Sequence, residues 1–295
     1  MIFQHISRYV LAIYLVVILG TISVAGDDTE REGGLTGTGI VGEIVALGSI
    51  IVNDQRIAFA RDLRVANRVA PKSAHDLVPG DVVAVAVVPD ANGWVADAIS
   101  QIHPLIGPVS GVETDRFTLF GVTVFWQGAP PRPGTWVAVS GFWARDDVVA
   151  TRVERIAERE VFSIQGSYRP SDDGTGIMVG SVKLGMDRLQ HAEEGDVITV
   201  SGTLAGGKLT VSEVHLGLFD RPVALVMAEG YLTDVAPSGH YTVAGSGLSA
   251  YTDKPDAAMT ADRIRVCGNH GELVPPQKMT NGAALDRLGC PIGGN

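Results

Sequence analysis

One short pattern recurs along the chain, and it constrains the fold more than any other feature. Gly80-Asp-Val-Val-Ala-Val-Ala86 is matched by Gly134-Thr-Trp-Val-Ala-Val-Ser140 and by Gly195-Asp-Val-Ile-Thr-Val-Ser201, and more loosely by Ala261-Asp-Arg-Ile-Arg-Val-Cys267. The starts lie 54, 61 and 66 residues apart. The pairs Val83/Val85, Val137/Val139, Ile198/Val200 and Ile264/Val266 are always β-branched, while the alternate positions vary from Val82/Ala84 to Trp136/Ala138, Val197/Thr199 and Arg263/Arg265. A period of two with one constant apolar face predicts a half-buried strand in each copy. Repetition at a near-constant interval predicts a chain built from copies of one supersecondary unit.

The flanking segments extend the unit. Ala96–Ile99, Ala150–Val153 and Val211–Val214 keep the same 54 and 61 offsets and predict a second strand after a turn. The fourth copy departs here, with a shorter turn at Gly268–Gly271 and Pro275-Pro276 beyond it. Upstream of each copy lie further apolar alternations: 42–59, 109–125, 162–180 and 224–244. Between the two sets, Arg61 to Leu77 has spacing compatible with a short helix, and Met186 to Ala192 with a similar turn. Gln127–Gly134, with three prolines, cannot be helical.

Three strands, an optional short helix and two strands is the order of a five-stranded Greek-key barrel of the OB type. The sequence therefore predicts an all-β fold: four tandem small OB-like Greek-key barrels after an N-terminal signal segment. The units span 37–104, 105–158, 159–220 and, divergently, 221–276, with a flexible leader at 26–36 and a tail at 277–295. The joints 101–104, 156–159 and 219–222 hold no Gly/Ser tract, so neighbouring units are expected to pack on one another.

The stretch Gly37-Thr-Gly-Ile-Val-Gly-Glu-Ile-Val-Ala-Leu-Gly-Ser-Ile-Ile-Val-Asn53 resembles the opening motif of the domain-of-unknown-function family numbered 5666. The likeness is closest over 37–104, looser over 105–218 and faint after 223. Leu47 stands where the family has Phe, and Asp54 where it has Gly. The resemblance implies an exported bacterial protein with repeated small β-barrel domains. It brings no activity with it.

The address reads independently of that likeness. Tyr9 to Ala25 is one apolar run, with Ser23 and Ala25 at the small-residue positions of a cleavage site. This predicts a secretory signal at 1–25 and a periplasmic or extracellular protein. Its positive end is weak, with Arg8 alone besides the amino terminus, so an uncleaved segment is the remaining route to a membrane. The two cysteines, Cys267 and Cys290, predict a disulfide in an exported chain. The rival reading is a metal site of His240, Cys267 and His270, with usable Cys-X-X-His spacing.

Charge narrows the partners. The chain carries 23 basic and 33 acidic residues, and a net of -10 disfavours nucleic acid, which the OB order alone would have suggested. The Gly-rich 33–39 lacks the Gly-Lys-Ser/Thr ending of a phosphate loop, no Gly-X-Ser-X-Gly elbow occurs, and the histidines are scattered and read as surface residues. Asp146-Asp147 and Asp172-Asp173 read as turn residues before weak Ca²⁺ ligands. Trp126, Trp136 and Trp143 cluster in the second unit. An outward Trp136 is either a glycan platform or an inter-unit packing residue, and the tight joints favour packing. The reading is a non-catalytic exported cell-envelope protein of binding or structural modules, with an envelope protein or glycan as partner and no cofactor. A metal-dependent enzyme or accessory factor with its site in the C-terminal repeat stays open. If the disulfide forms, thiol titration of the purified protein finds no free thiol without reductant and two after reduction; two at the outset exclude it.

Overall fold

The computed structural model describes residues 37–233, 239–251, 262–269 and 287–290. The signal at 1–25, the leader at 26–36, His270, the Pro275-Pro276 interruption and most of the tail lie outside the described residues. The fold is all-β. The first unit contains β1 (Gly37–Ala46), β2 (Ile50–Val52), β3 (Gln55–Ala58), β4 (Arg64–Ala66), β5 (Lys72–Ser73), β6 (Val82–Asp90) and β7 (Gly93–Ile102). The second contains β8 (Leu105–Pro108), β9 (Gly111–Val112), β10 (Arg116–Leu119), β11 (Val122–Phe125), β12 (Trp136–Ala144) and β13 (Asp147–Arg155). The third contains β14 (Val161–Pro170), β15 (Ile177–Val179), β16 (Val182–Leu184), β17 (Val197–Ala205) and β18 (Lys208–Leu216). The fourth contains β19 (Val223–Gly230), β20 (His240–Val243), β21 (Leu248–Tyr251) and β22 (Ile264–Asn269).

The recurring Gly-Asp pattern is a turn that locks onto the first strand of its unit. The N–H of Asp81 donates to Val78 O, that of Thr135 to Arg132 O and that of Asp196 to Glu193 O. Gly80, Gly134 and Gly195 sit at φ +90°, +81° and +99°, where a side chain is strained and glycine is not. Each glycine N–H then donates to a first-strand carbonyl, of Ile44, Val109 or Tyr168, and the N–H of that same residue donates back to the carbonyl of Asp81, Thr135 or Asp196. This reciprocal pair fixes the register of the strand that follows. Each of those strands also slips by one residue at an equivalent point, at Ala86/Val87, Ser140/Gly141 and Ser201/Gly202. The bulge lets one strand curve enough to meet two neighbours.

In the first unit the pairings β1–β2, β2–β3, β3–β7, β7–β6 and β6–β1 return to their start. In the second, β9–β10, β10–β11, β11–β13, β13–β12 and β12–β8 do the same along one interrupted first strand. The third runs β16–β15–β14–β17–β18, and no pairing joins β16 to β18 among the described residues. In the fourth, β22 pairs with β19 and β20 with β21. The short helix expected within Arg61–Leu77 is replaced by β4, β5 and a single 3-10 turn, Ala74–Asp76. Pro71 removes a donor in mid-segment and blocks a longer helix.

The expectation of half-buried strands holds at β22, where Arg263 and Arg265 are exposed, and is corrected for the other three copies. The first six residues of β6 and β17 and the first eight of β12 are all buried. Val83 and Val85 pack inside the first unit with Ile40, Ile44 and Ile57. The opposite face, Val82 and Ala84, joins Phe142 of the second unit, Val197 and Leu218 of the third, and Val226, Ala228 and Leu248 of the fourth. Val82 and Ala84 of the first copy and Val197 of the third therefore meet other units across that face, whereas the fourth copy keeps Arg263 and Arg265 exposed.

Two further strand pairings join units. β1 runs parallel to β19, and β8 pairs antiparallel with β14. The first and fourth units thus share one sheet, and the second and third share another. The two sheets meet through side chains, along a seam filled by that mixed apolar cluster. Gly141 lies at a bulge where a Cβ would overlap the backbone of Val149 and Ala150. Gly141→Val is expected to lower stability by roughly 1–3 kcal/mol in urea denaturation, the usual cost of overpacking.

Candidate ligand cavity beside Trp143

The three tryptophans of the second unit part company. Trp136 opens β12 and is 7% exposed, and Trp126 is half-buried with its indole N–H on Ala129 O at 3.3 Å. Only Trp143, near the end of β12, reaches the cavity discussed below. Its indole N–H donates to Gln165 O at 2.7 Å in β14. Its ring lies where a side chain on Gly166 or Gly180 would stand, and its edge meets Gly245 of the fourth unit. Trp143 is therefore first a plug: one aromatic ring from the second unit seated on glycine backbone of the third and fourth.

A cavity of about 260 Å³ opens beside this plug. The second unit lends it Trp143, Arg145 and Asp146 from the β12–β13 hairpin tip. The third unit lends Ser167, Tyr168, Arg169 and Glu194, and the fourth lends Thr233 and Thr242. Arg145 is held at φ +58° by the tight turn. Ser167 Oγ accepts the N–H of Gly245 at 3.1 Å and ties the fourth unit to the wall, while Thr233 Oγ1 accepts that of Thr242 at 2.9 Å within the fourth unit. Arg169 pairs loosely with exposed Asp172 at 3.3 Å. Tyr168 is 1% exposed, and its hydroxyl has no hydrogen-bond partner among the described residues. A lining of two arginines, two carboxylates, hydroxyls and aromatic surface suits an uncharged or zwitterionic polar ligand. The volume lies just below the roughly 300–1,000 Å³ of drug-sized sites, which limits the occupant to about one ring. A larger cavity of about 330 Å³ lies between the third and fourth units, lined chiefly by apolar residues such as Leu218, Phe219 and Leu248, with fewer polar groups to orient a ligand.

The metal reading loses its thiolate. Cys267 and Cys290 form the disulfide, with Cα atoms 6.1 Å apart, so neither sulfur is free to bind metal. His240 is described in its backbone alone, where it pairs with Tyr251, and His270 lies outside the described residues. The disulfide instead holds Leu288 and Cys290 against the core of the first unit, where the side-chain amide of Gln55 donates to Leu288 O at 2.9 Å.

Among the acidic pairs, Asp173 closes a turn. Its carboxylate accepts the Ser171 hydroxyl and both the N–H and the hydroxyl of Thr175, and it pairs with Lys183. Those partners, Lys183 foremost, hold it well below the usual carboxylate range. The reading of all histidines as surface residues also fails at His103, which is 5% exposed.

Residues 106–154 match the family described as Domain of unknown function (DUF5666). The match runs from β8 to β13, one unit beyond the stretch 37–53 that carries the sequence resemblance. It includes Trp136, Trp143, Arg145 and Asp146. No curated protein and no solved structure matches the chain.

Sequence reasoning found Trp143 but missed Tyr168, Arg169 and Glu194. The repeat carried a usable signal, since Tyr168 occupies the position of Ile44 and Val109, where the other units hold an aliphatic core residue. Trp143→Ala removes the plug and is expected to lower stability by about 3–5 kcal/mol, as for other buried tryptophans, when followed by urea denaturation. A change below about 1 kcal/mol would show that the ring is not a packing element.

Proposed function

We propose that the protein is a non-catalytic, exported cell-envelope protein whose four OB-like barrel units form one rigid binding module. The cavity beside Trp143 is its ligand site, and the ligand is a small hydroxyl-rich molecule such as one residue of a glycan. The observation that carries the reading is the cavity wall itself, in which three units each contribute polar groups to one space of single-ring size. Sugars are recognised by planar side chains that donate or accept in pairs, and Arg145, Arg169, Asp146 and Glu194 are of that kind. The turn-and-strand order repeated in the first three units supports the OB-like description. The disulfide supports an oxidising compartment and hence export.

Binding of the mature protein to a glycan array, followed by calorimetry with the best hit, tests the reading. Arg169→Ala is expected to weaken binding about tenfold, the loss of one hydrogen bond to a charged group. Its thermal unfolding should stay unchanged, because an exposed ion pair such as Arg169 with Asp172 contributes little. An array with no hit, or affinity unchanged in Arg169→Ala, overturns the cavity as a sugar site.

A further inference from the structure

The chain passes from the first unit to the second through His103 and Pro104 alone, between the end of β7 and the start of β8. This joint is polar and buried at once. Asp81, which follows the turn glycine, is fully buried. Its carboxylate accepts the N–H of Val78 at 3.0 Å and Lys72 Nζ at 3.1 Å within the first unit. It also accepts Arg152 Nη1 at 2.7 Å from β13 of the second. Beside it the Thr151 hydroxyl donates to Gly80 O at 2.6 Å. Lys72 reaches on to Gln101 Oε1 at 3.1 Å, and the buried Gln101 Nε2 has no partner among the described residues. Arg152 is shared with Glu154 at 2.9 Å. No strand pairing spans this joint, whereas backbone ladders join β1 to β19 and β8 to β14.

His103, 5% exposed, is buried at this joint. Three charged groups act on it: Asp81 and Lys72 of the first unit and Arg152 of the second. The carboxylate is already divided between two cations, so a third positive charge in the same buried space meets repulsion without a free partner. Burial first, and then Lys72 and Arg152, pull the imidazole down to about 4, against the opposing pull of Asp81. His103 is therefore neutral at pH 7.

We propose that this joint is an acid-sensitive latch: protonation of His103 releases the Asp81–Arg152 contact and opens the seam between the two sheets at the first and second units. The sign follows from the proton balance. The closed joint binds its proton near pH 4 and a solvent-exposed histidine near 6.5, so the open form takes up the proton first as pH falls. The latch is fully closed above pH 6.5 and is weakened progressively down to pH 4. The backbone ladders on either side are held by peptide N–H and C=O groups, which do not titrate, so the opening is confined to the joint. Between pH 7 and pH 4.5 the open fraction rises roughly 60-fold by this balance.

Hydrogen exchange followed by mass spectrometry on the purified full chain, corrected for intrinsic exchange rates, reads that change. Peptides covering 78–82 and 101–105 are expected to lose protection between pH 7 and pH 4.5, while β1, β19 and β14 keep theirs. His103→Gln, neutral at every pH, is expected to remove the pH dependence at those peptides. If the variant loses protection as the wild type does, the latch is excluded. If that variant does not fold, NMR titration of His103 in the wild-type protein decides. A folded-state midpoint near 4, or loss of the closed-state signal below pH 6.5, supports the latch. An ordinary midpoint near 6.5 with the joint still protected overturns it.

Discussion

The structure depends on burying both faces of the same strands. β6, β12 and β17 turn their constant apolar side into their own units and their variable side onto neighbours. Each unit is close to the size at which a core alone stabilises a domain only marginally. A second buried face on the same strand adds apolar burial without lengthening the chain. Val41, Val82 and Ala84 of the first unit, Phe142 of the second, Val197 of the third and Val226 and Ala228 of the fourth meet in that shared cluster. The units are thus copies in sequence and parts of one body in space.

Much of the local structure was legible because local rules set it. The strands at Val82, Trp136 and Val197 follow from period-two alternation, and the turns before them from a glycine that alone tolerates their backbone. What lies across a strand is set by residues far along the chain, and no local rule reaches it. The variable face looked like a solvent face for that reason, and His103 looked like a surface histidine. The segment 61–77 has spacing compatible with a short helix, but Pro71 stands in its middle and the structure places two short strands and a 3-10 turn there. Cysteine counting anticipated the bond between Cys267 and Cys290, but not that it anchors the end of the chain on the first unit.

The site was half legible. Trp143 stood out as one of three neighbouring tryptophans, yet its neighbours Trp126 and Trp136 belong to other surroundings. The remaining wall comes from a hairpin tip of the second unit, a strand and a turn of the third, and two threonines of the fourth. The same strategy recurs at the polar joint, where Asp81 and Arg152 meet across 71 residues of sequence. In both places a turn defined within one unit supplies groups to its neighbour. Interfaces between the repeats, more than the repeats themselves, carry the unusual chemistry.

The parallel pairing of β1 with β19 has a consequence for how such a chain can grow and fold. Tandem repeats ordinarily lengthen by duplication, because each copy touches only the next. Here the first strand of the first unit finds a partner in the fourth, and the N–H of Glu43 donates to a carboxylate oxygen of Glu229, 186 residues away. A duplicated unit would have to part that ladder, so the copy number is fixed by geometry and not by the stability of any one copy. Folding inherits the same condition. The first sheet stays unfinished until the fourth unit has emerged, and contacts between such distant segments form slowly.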